Sequence, residues 1–133
     1  MGSGPARVLV VDDHELNLKL LQRVLELEGM HVIPAASIRA AELALAQEVP
    51  ALIVLDLQLP DGDGLDLARR LKRDPKTGSC AIVACTAEAM RGDEERALAA
   101  GCDAYVSKPI DTRAFAALVS SMLHSSSRAY AAH

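Results

Sequence analysis

Short runs of consecutive apolar residues alternate along this chain with stretches in which apolar residues recur at helical spacing. The runs at 6–12, 31–35, 51–56, 80–86 and 103–107 read as strands, because a strand buried on both faces is continuously apolar rather than alternating. Helical spacing covers 15–28, 37–48, 64–74, 90–100 and 111–124. In the first helix Leu20, Leu21, Val24, Leu25 and Leu27 predict a wide apolar face, and Gly29 fits the stop. Ser37 is an N-cap candidate for the second helix and Asp111 for the last, where Phe115, Leu118, Val119 and Met122 fall at i, i+3, i+4 and i+7. The fourth helix is the weakest, since Gly92 interrupts it and most of its apolar residues are Ala. It is expected to be the least anchored.

Five strand–helix units in strict alternation imply one doubly wound α/β domain, with a five-stranded parallel sheet, right-handed crossovers and helices on both faces. Two strand orders suit a chain this short. In the flavodoxin-like order 2-1-3-4-5, strands 1 and 3 are neighbours and the switch point lies between them. The folded unit is expected over 6–124, after a flexible lead at 1–5 and before a disordered tail at 125–133 that opens with three serines.

Composition narrows the picture. The 133 residues suffice for one domain with a real core. Half of them are hydrophobic, but only two Tyr and one Phe are aromatic, so the core has to be aliphatic. A formal charge of −4 without a Lys/Arg block argues against a nucleic-acid partner. No apolar run approaches the ~20 residues of a membrane span, and no secretory signal is visible, so a cytoplasmic protein without a membrane partner is expected. Cys80, Cys85 and Cys102 are odd in number and lack metal-ligand spacing, which reads as buried reduced thiols.

The chemistry lies where the strands end. Asp56 closes the run Ala51-Leu52-Ile53-Val54-Leu55, and Val8-Leu9-Val10-Val11 ends in Asp12-Asp13. Two later runs end in Thr86 and in Lys108-Pro109. The carboxyl edge of an open parallel sheet is where such folds bind ligands, and the 2-1-3-4-5 order brings the three acids within a few ångströms. Two like charges about 4 Å apart repel by ~4 kcal/mol at an effective dielectric of 20. A hard divalent cation such as Mg²⁺ relieves that repulsion, because it prefers carboxylate oxygens, water and phosphate. Acids, a hydroxyl and an ammonium together describe a phosphoryl site, and a carboxylate can itself be the nucleophile. Asp56, central on strand 3, is the candidate.

At these residues the chain resembles the CheY-like receiver domains of two-component response regulators. The resemblance runs from about residue 6 to 123. It rests on Val10-Val11-Asp12-Asp13, Asp56-Leu57-Gln58-Leu59-Pro60-Asp61-Gly62-Asp63-Gly64, Cys85-Thr86-Ala87 and Ser107-Lys108-Pro109, in this order and each at a strand end. The stretches 89–96 and 100–105 look like stand-alone receivers of the DivK kind and the receivers of hybrid sensor kinases, which signal by docking on proteins. The resemblance implies that Asp56 accepts a phosphoryl group from a phosphohistidine on a sensor histidine kinase or histidine phosphotransfer protein. It implies Mg²⁺ as cofactor, held by Asp12, Asp13, Asp56 and the backbone carbonyl of Gln58. Thr86 and Lys108 would contact the phosphoryl oxygens, and the bond before Pro109 is often cis in the family. The expected role is a phosphoacceptor switch for a downstream protein target rather than an enzyme with a turned-over substrate. Gln58 and Glu88 stand where the family tunes phosphoryl lifetime, and Gly62 replaces a large apolar residue common in relatives.

Blander readings stand beside these. Asp12-Asp13 could merely cap a helix, Asp56 could open an Asx turn, Thr86 alone reads as an N-cap, and Lys108 alone as a solvated lysine. Tyr105 is either an aromatic that turns inward as Thr86 moves or a half-buried strand residue. His14 adjoins the acid pair, but Mg²⁺ prefers oxygen, so an exposed histidine at a helix start is expected. His31, His124 and His133 receive no role. Three rival functions fit the residues less well. An aspartyl-nucleophile phosphatase of the haloacid-dehalogenase type needs Asp-x-Asp-x-Thr, which Asp12-Asp13-His14-Glu15-Leu16 does not supply. A phosphorylation-independent pseudo-receiver conflicts with the intact acid set, and a flavodoxin-like FMN binder would need a Ser/Thr/Gly phosphate loop where the acids stand.

Overall fold

A computed structural model describes residues 5–87 and 92–132, with side chains as far as residue 124. The start of the lead, the segment 88–91 with Glu88, and His133 lie outside the described residues. The order is β1 (Arg7–Val11), α1 (Glu15–Leu27), β2 (His31–Ala35), α2 (Ile38–Gln47), β3 (Leu52–Asp56), β4 (Gln58–Leu59), β5 (Gly62–Asp63), α3 (Gly64–Arg73), β6 (Ala81–Thr86), α4 (Asp93–Ala99), β7 (Ala104–Ser107) and α5 (Thr112–Ala132). The five long strands form one parallel sheet in the order β2-β1-β3-β6-β7, the 2-1-3-4-5 order anticipated above.

Side chains alternate across this sheet, and both faces are covered. Leu9, Val11, Ile53, Leu55, Ile82 and Ala84 point to one face, where Ile38, Ala41, Leu67, Leu71 and Ala97 of α2, α3 and α4 meet them. Val8, Val10, Leu52, Val54, Val83 and Cys85 point to the other, against Leu21 and Leu25 of α1 and Phe115 and Val119 of α5. Double burial explains why the central strands read as unbroken apolar runs. Burying one such aliphatic or Phe side chain contributes about 1.5–3 kcal/mol. Pro34 sits in β2, an edge strand, the position that tolerates a residue without an N–H.

Caps fix the helix ends. Gly29, at φ +88, stops α1: its N–H donates to Glu26 O and that of Met30 to Leu25 O, a Schellman arrangement. Ser37 Oγ accepts from Ala40 N–H, and Asp111 Oδ1 accepts from Arg113 and Ala114 N–H. All three thiols are free and buried.

Four features depart from the sequence reading. The inward side of α1 is narrower than expected: Leu21 and Leu25 are buried, whereas Leu20 and Leu27 face solvent at 47% and 76% exposure. One stripe suffices to pack the helix against the sheet and α5. Gly92 precedes α4 rather than interrupting it, taking φ +90 at the cap so that the helix begins at Asp93. Two-residue strands β4 and β5 pair antiparallel around Pro60–Asp61, outside the strands the apolar runs predict, because two residues are too few to show a period. Finally, α5 continues from residue 124 to Ala132. Neither Gly nor Pro follows the three serines, and Arg128-Ala129-Tyr130-Ala131-Ala132 is compatible with helix. Among the described residues no helix is long and apolar enough to cross a membrane.

Candidate functional site

Parallel pairing carries the strand ends to one edge. Asp56 is the last residue of β3 and Thr86 the last of β6, one position beyond Cys85, the register partner of Asp56. Asp12 follows β1 and is held by its own N–H, which donates to Ala35 O at 3.0 Å. Lys108 follows β7, with its N–H donating to Thr86 O at 2.8 Å. Below this edge α3 must pass close to β3: a Cβ on Gly64 would stand 2.5 Å from the Asp56 carbonyl oxygen. Only glycine fits there.

Asp12 and Asp56 are 2% and 3% exposed, and one ammonium serves both. Lys108 Nζ donates to Asp12 Oδ2 at 3.0 Å and to Asp56 Oδ2 at 3.1 Å. Asp56 Oδ1 accepts from Gln58 N–H at 3.0 Å, and Asp12 Oδ1 from His14 N–H at 2.8 Å. The two carboxyls are nevertheless shifted in opposite directions. Burial pushes Asp56 above the ordinary carboxylate value, and the Gln58 N–H and Lys108 do not fully offset it. Burial also opposes ionisation of Asp12, but the His14 N–H, Lys108 and Asn17 outweigh it and hold that carboxyl low. Burial disfavours the charged ammonium, yet the two carboxylates hold Lys108 above the ordinary lysine value. Two carboxyls thus share one ammonium in a nearly buried Asp–Lys–Asp group, with the Asp13 side chain beside it.

Asp13 side-chain exposure is 34%, and its Oδ1 lies 3.4 Å from His14 Nδ1. Ligand atoms of Asp12, Asp13, His14 and Asp56 all fall within 4.8 Å of one another, a donor set dominated by carboxylate oxygen that suits a hard divalent cation. Gln58, whose carbonyl is the further candidate ligand, is exposed in β4. Thr86 is buried at 3%. Tyr105 is half-buried in β7; burial first, then the acids Asp93 and Glu94 of α4, raise its hydroxyl above the ordinary value. The Lys108–Pro109 bond is cis. His14 is exposed at the start of α1, yet its ring also reaches Asp12 Oδ1 at 3.4 Å.

Two contributors escaped the sequence reading. Asn17 donates its amide to Asp12 Oδ2 from the first turn of α1, and its position five residues after Asp12 was the available signal. Asp61, at the tip of the β4–β5 hairpin, accepts from Ile38 N–H at 2.9 Å and Arg39 N–H at 3.0 Å, tying the loop after Asp56 to the start of α2. That partner is 23 residues away, which no local pattern reveals.

A doubly wound sheet with an acid cluster and a lysine at its switch point defines a receiver-type phosphoacceptor domain. Residues 8–120 match the response regulator receiver domain family. The chain belongs to this family, a component of two-component signalling. It is similar to the polar-differentiation response regulator DivK of Brucella anthropi, at 40% identity over 120 residues, covering 90% of this chain and 97% of that protein. DivK of Brucella abortus is 41% identical over 117 residues, covering 87% and 94%. Among solved structures, a CheY-like receiver domain protein from Methanospirillum hungatei matches with a TM-score of 0.87 and 26% identity, over 94% of this chain and 98% of that one. A response regulator from Burkholderia pseudomallei, with a phosphorylated aspartic acid, calcium ion and citrate, matches with a TM-score of 0.76 and 28% identity, over 83% and 64%.

Proposed function

We propose that this domain is the Mg²⁺-dependent acceptor in a phosphorelay, with Asp56 as the residue that takes the phosphoryl group from a phosphohistidine. The observation that carries this reading is the shared ammonium: Lys108 Nζ bonds Asp56 and Asp12 at once, on the edge where the strands end. Asp13 and Asp56, with Asp12 and the Gln58 carbonyl, would hold Mg²⁺, and the donor chemistry fits. Bound there, the ion supplies neutralisation of the clustered negative charge.

In the transfer an Asp56 carboxylate oxygen forms a bond to phosphorus while the P–N bond of the phosphohistidine breaks. The imidazole leaves with the bonding pair and takes up a proton. Gln58 N–H orients the carboxylate through Oδ1, and Lys108 faces Oδ2, placed to meet the phosphoryl oxygens with the Thr86 hydroxyl. The Asp56 carboxylate gives up its own charge to the new bond, and the acyl phosphate carries about −1.5 to −2 charges farther out from a nearly buried point. Thr86 on β6 and Tyr105 on β7 shift in response, and α4, which buries only Ala97, follows. A downstream protein would read the α4–β7–α5 face. The protein on this reading is a switch. Hydrolysis of its own acyl phosphate resets it.

The test is transfer from a phosphorylated histidine kinase or phosphotransfer protein in Mg²⁺ and in EDTA. Labelling of the wild type in Mg²⁺ alone, lost in Asp56→Asn, supports the reading. Equal labelling in EDTA would remove the cation from it.

A further inference from the structure

We propose that His14 adds a nitrogen donor to the acid cluster, so that the cation site also takes borderline transition-metal ions of the Zn²⁺ and Ni²⁺ class, in competition with Mg²⁺. The inference rests on the cation site of the proposed function and concerns which ion that site prefers. Both oxygens of Asp12 are engaged within the protein, Oδ1 by the His14 N–H and Oδ2 by Lys108 and Asn17. Asp13 is different: its Oδ1 faces the His14 ring at 3.4 Å, and both side chains are open to solvent. A cation entering from solvent therefore meets Asp13 oxygen and His14 nitrogen together, with Asp56 behind them, all within the 4.8 Å that spans the cluster.

The mixed donor set matters because ions rank ligands differently. Mg²⁺ takes oxygen and keeps its waters, so an imidazole gives it little. Zn²⁺ and Ni²⁺ bind imidazole well, and for a given N/O site they stand above the earlier divalent ions. An all-oxygen acid cluster discriminates weakly between these groups. One with a histidine at its mouth tilts toward the transition ions. His14 also lies at the cap of α1 with its own N–H bonded to Asp12, so its backbone is already fixed relative to the acids. A transition ion held by Asp13, His14 and Asp56 would occupy the acceptor carboxylate.

Calorimetric titration of Mg²⁺ and of Zn²⁺ into the wild type, His14→Ala, His14→Gln and Asp13→Asn tests this. His14 is 69% exposed, so its replacement leaves the core intact. Zn²⁺ affinity is expected to fall at least about tenfold in both His14 variants, the size of effect a single partner at a metal site commonly has. Mg²⁺ affinity is expected to stay within about twofold, and Asp13→Asn to weaken both ions. The ¹⁵N signals of the His14 ring should shift with Zn²⁺ and stay in place with Mg²⁺. Unchanged Zn²⁺ affinity in His14→Ala overturns the nitrogen-donor inference alone. Binding of neither ion responding to Asp13→Asn overturns it together with the cation site on which it rests.

Discussion

Lys108 Nζ lies 3.1 Å from Asp56 Oδ2, with the lysine side chain 13% and the carboxylate 4% exposed. Such a pair is worth more when broken than when counted, because removing one partner strands the other's charge. Here the ammonium also holds Asp12, so its loss leaves two buried carboxylates facing each other. Lys108→Met is expected to lose about 3 kcal/mol of stability without Mg²⁺. Urea unfolding with and without Mg²⁺ checks it: the deficit should shrink when the cation takes over the neutralisation. No loss would mean the pair is solvated in solution.

The raised Asp56 carboxyl has an opposite consequence. Its folded-state value lies above the ordinary 3.8, so ionised Asp56 weighs against the fold at neutral pH, and that cost is relieved as pH falls through the raised value. Asp12, held low, contributes stability above 3.8 that disappears as pH falls through its folded value. Asp56→Asn is therefore expected to raise the urea midpoint at neutral pH without Mg²⁺. Mg²⁺ should stabilise the wild type and leave the variant nearly unmoved. A variant less stable than wild type under these conditions would reverse the assigned sign.

The thiols set an alkaline limit. Burial pushes Cys85 to about 12 and Cys102 to about 11, and raises Cys80 as well, against an ordinary 9.0. Above pH 9.0 the unfolded chain releases these protons first, so stability declines as pH rises toward the folded values. Urea midpoints at pH about 8 and about 10 should differ, and Cys85→Ala should reduce the difference. Equal slopes in variant and wild type would remove Cys85 from the explanation.

Asp61 supplies two acceptors to the first turn of α2 beside the Ser37 cap. Asp61→Ala should lower the urea midpoint, as the loss of a helix cap does. Faster hydrogen exchange at the Ile38 and Arg39 amides, with α5 unchanged, is the accompanying signature. Unchanged exchange at both amides would show that water serves them equally well.

The central strands and the acid edge were legible in the sequence because burial on both faces writes itself as an apolar run, and a charge at its end stands out. Val54-Leu55-Asp56 shows this directly, as do the caps at Ser37 and Asp111. Exposed apolar residues mislead the same logic: Leu20 and Leu27 continue the α1 pattern yet face solvent. Gly92 looks in sequence like a break within a helix, yet in the left-handed region it caps the start of one. The β4–β5 hairpin is too short to show a period, the Asn17 bond to Asp12 is marked only by spacing, and the cap from Asp61 depends on tertiary proximity, which periodicity does not encode.

The central claim is that Asp56 is the carboxylate that becomes phosphorylated. Intact mass after treatment with acetyl phosphate in Mg²⁺, wild type beside Asp56→Asn, reads it directly. The wild type is predicted to gain the mass of one phosphoryl group and the variant none. A variant that gains the same mass would contradict the account and move the acceptor to another residue.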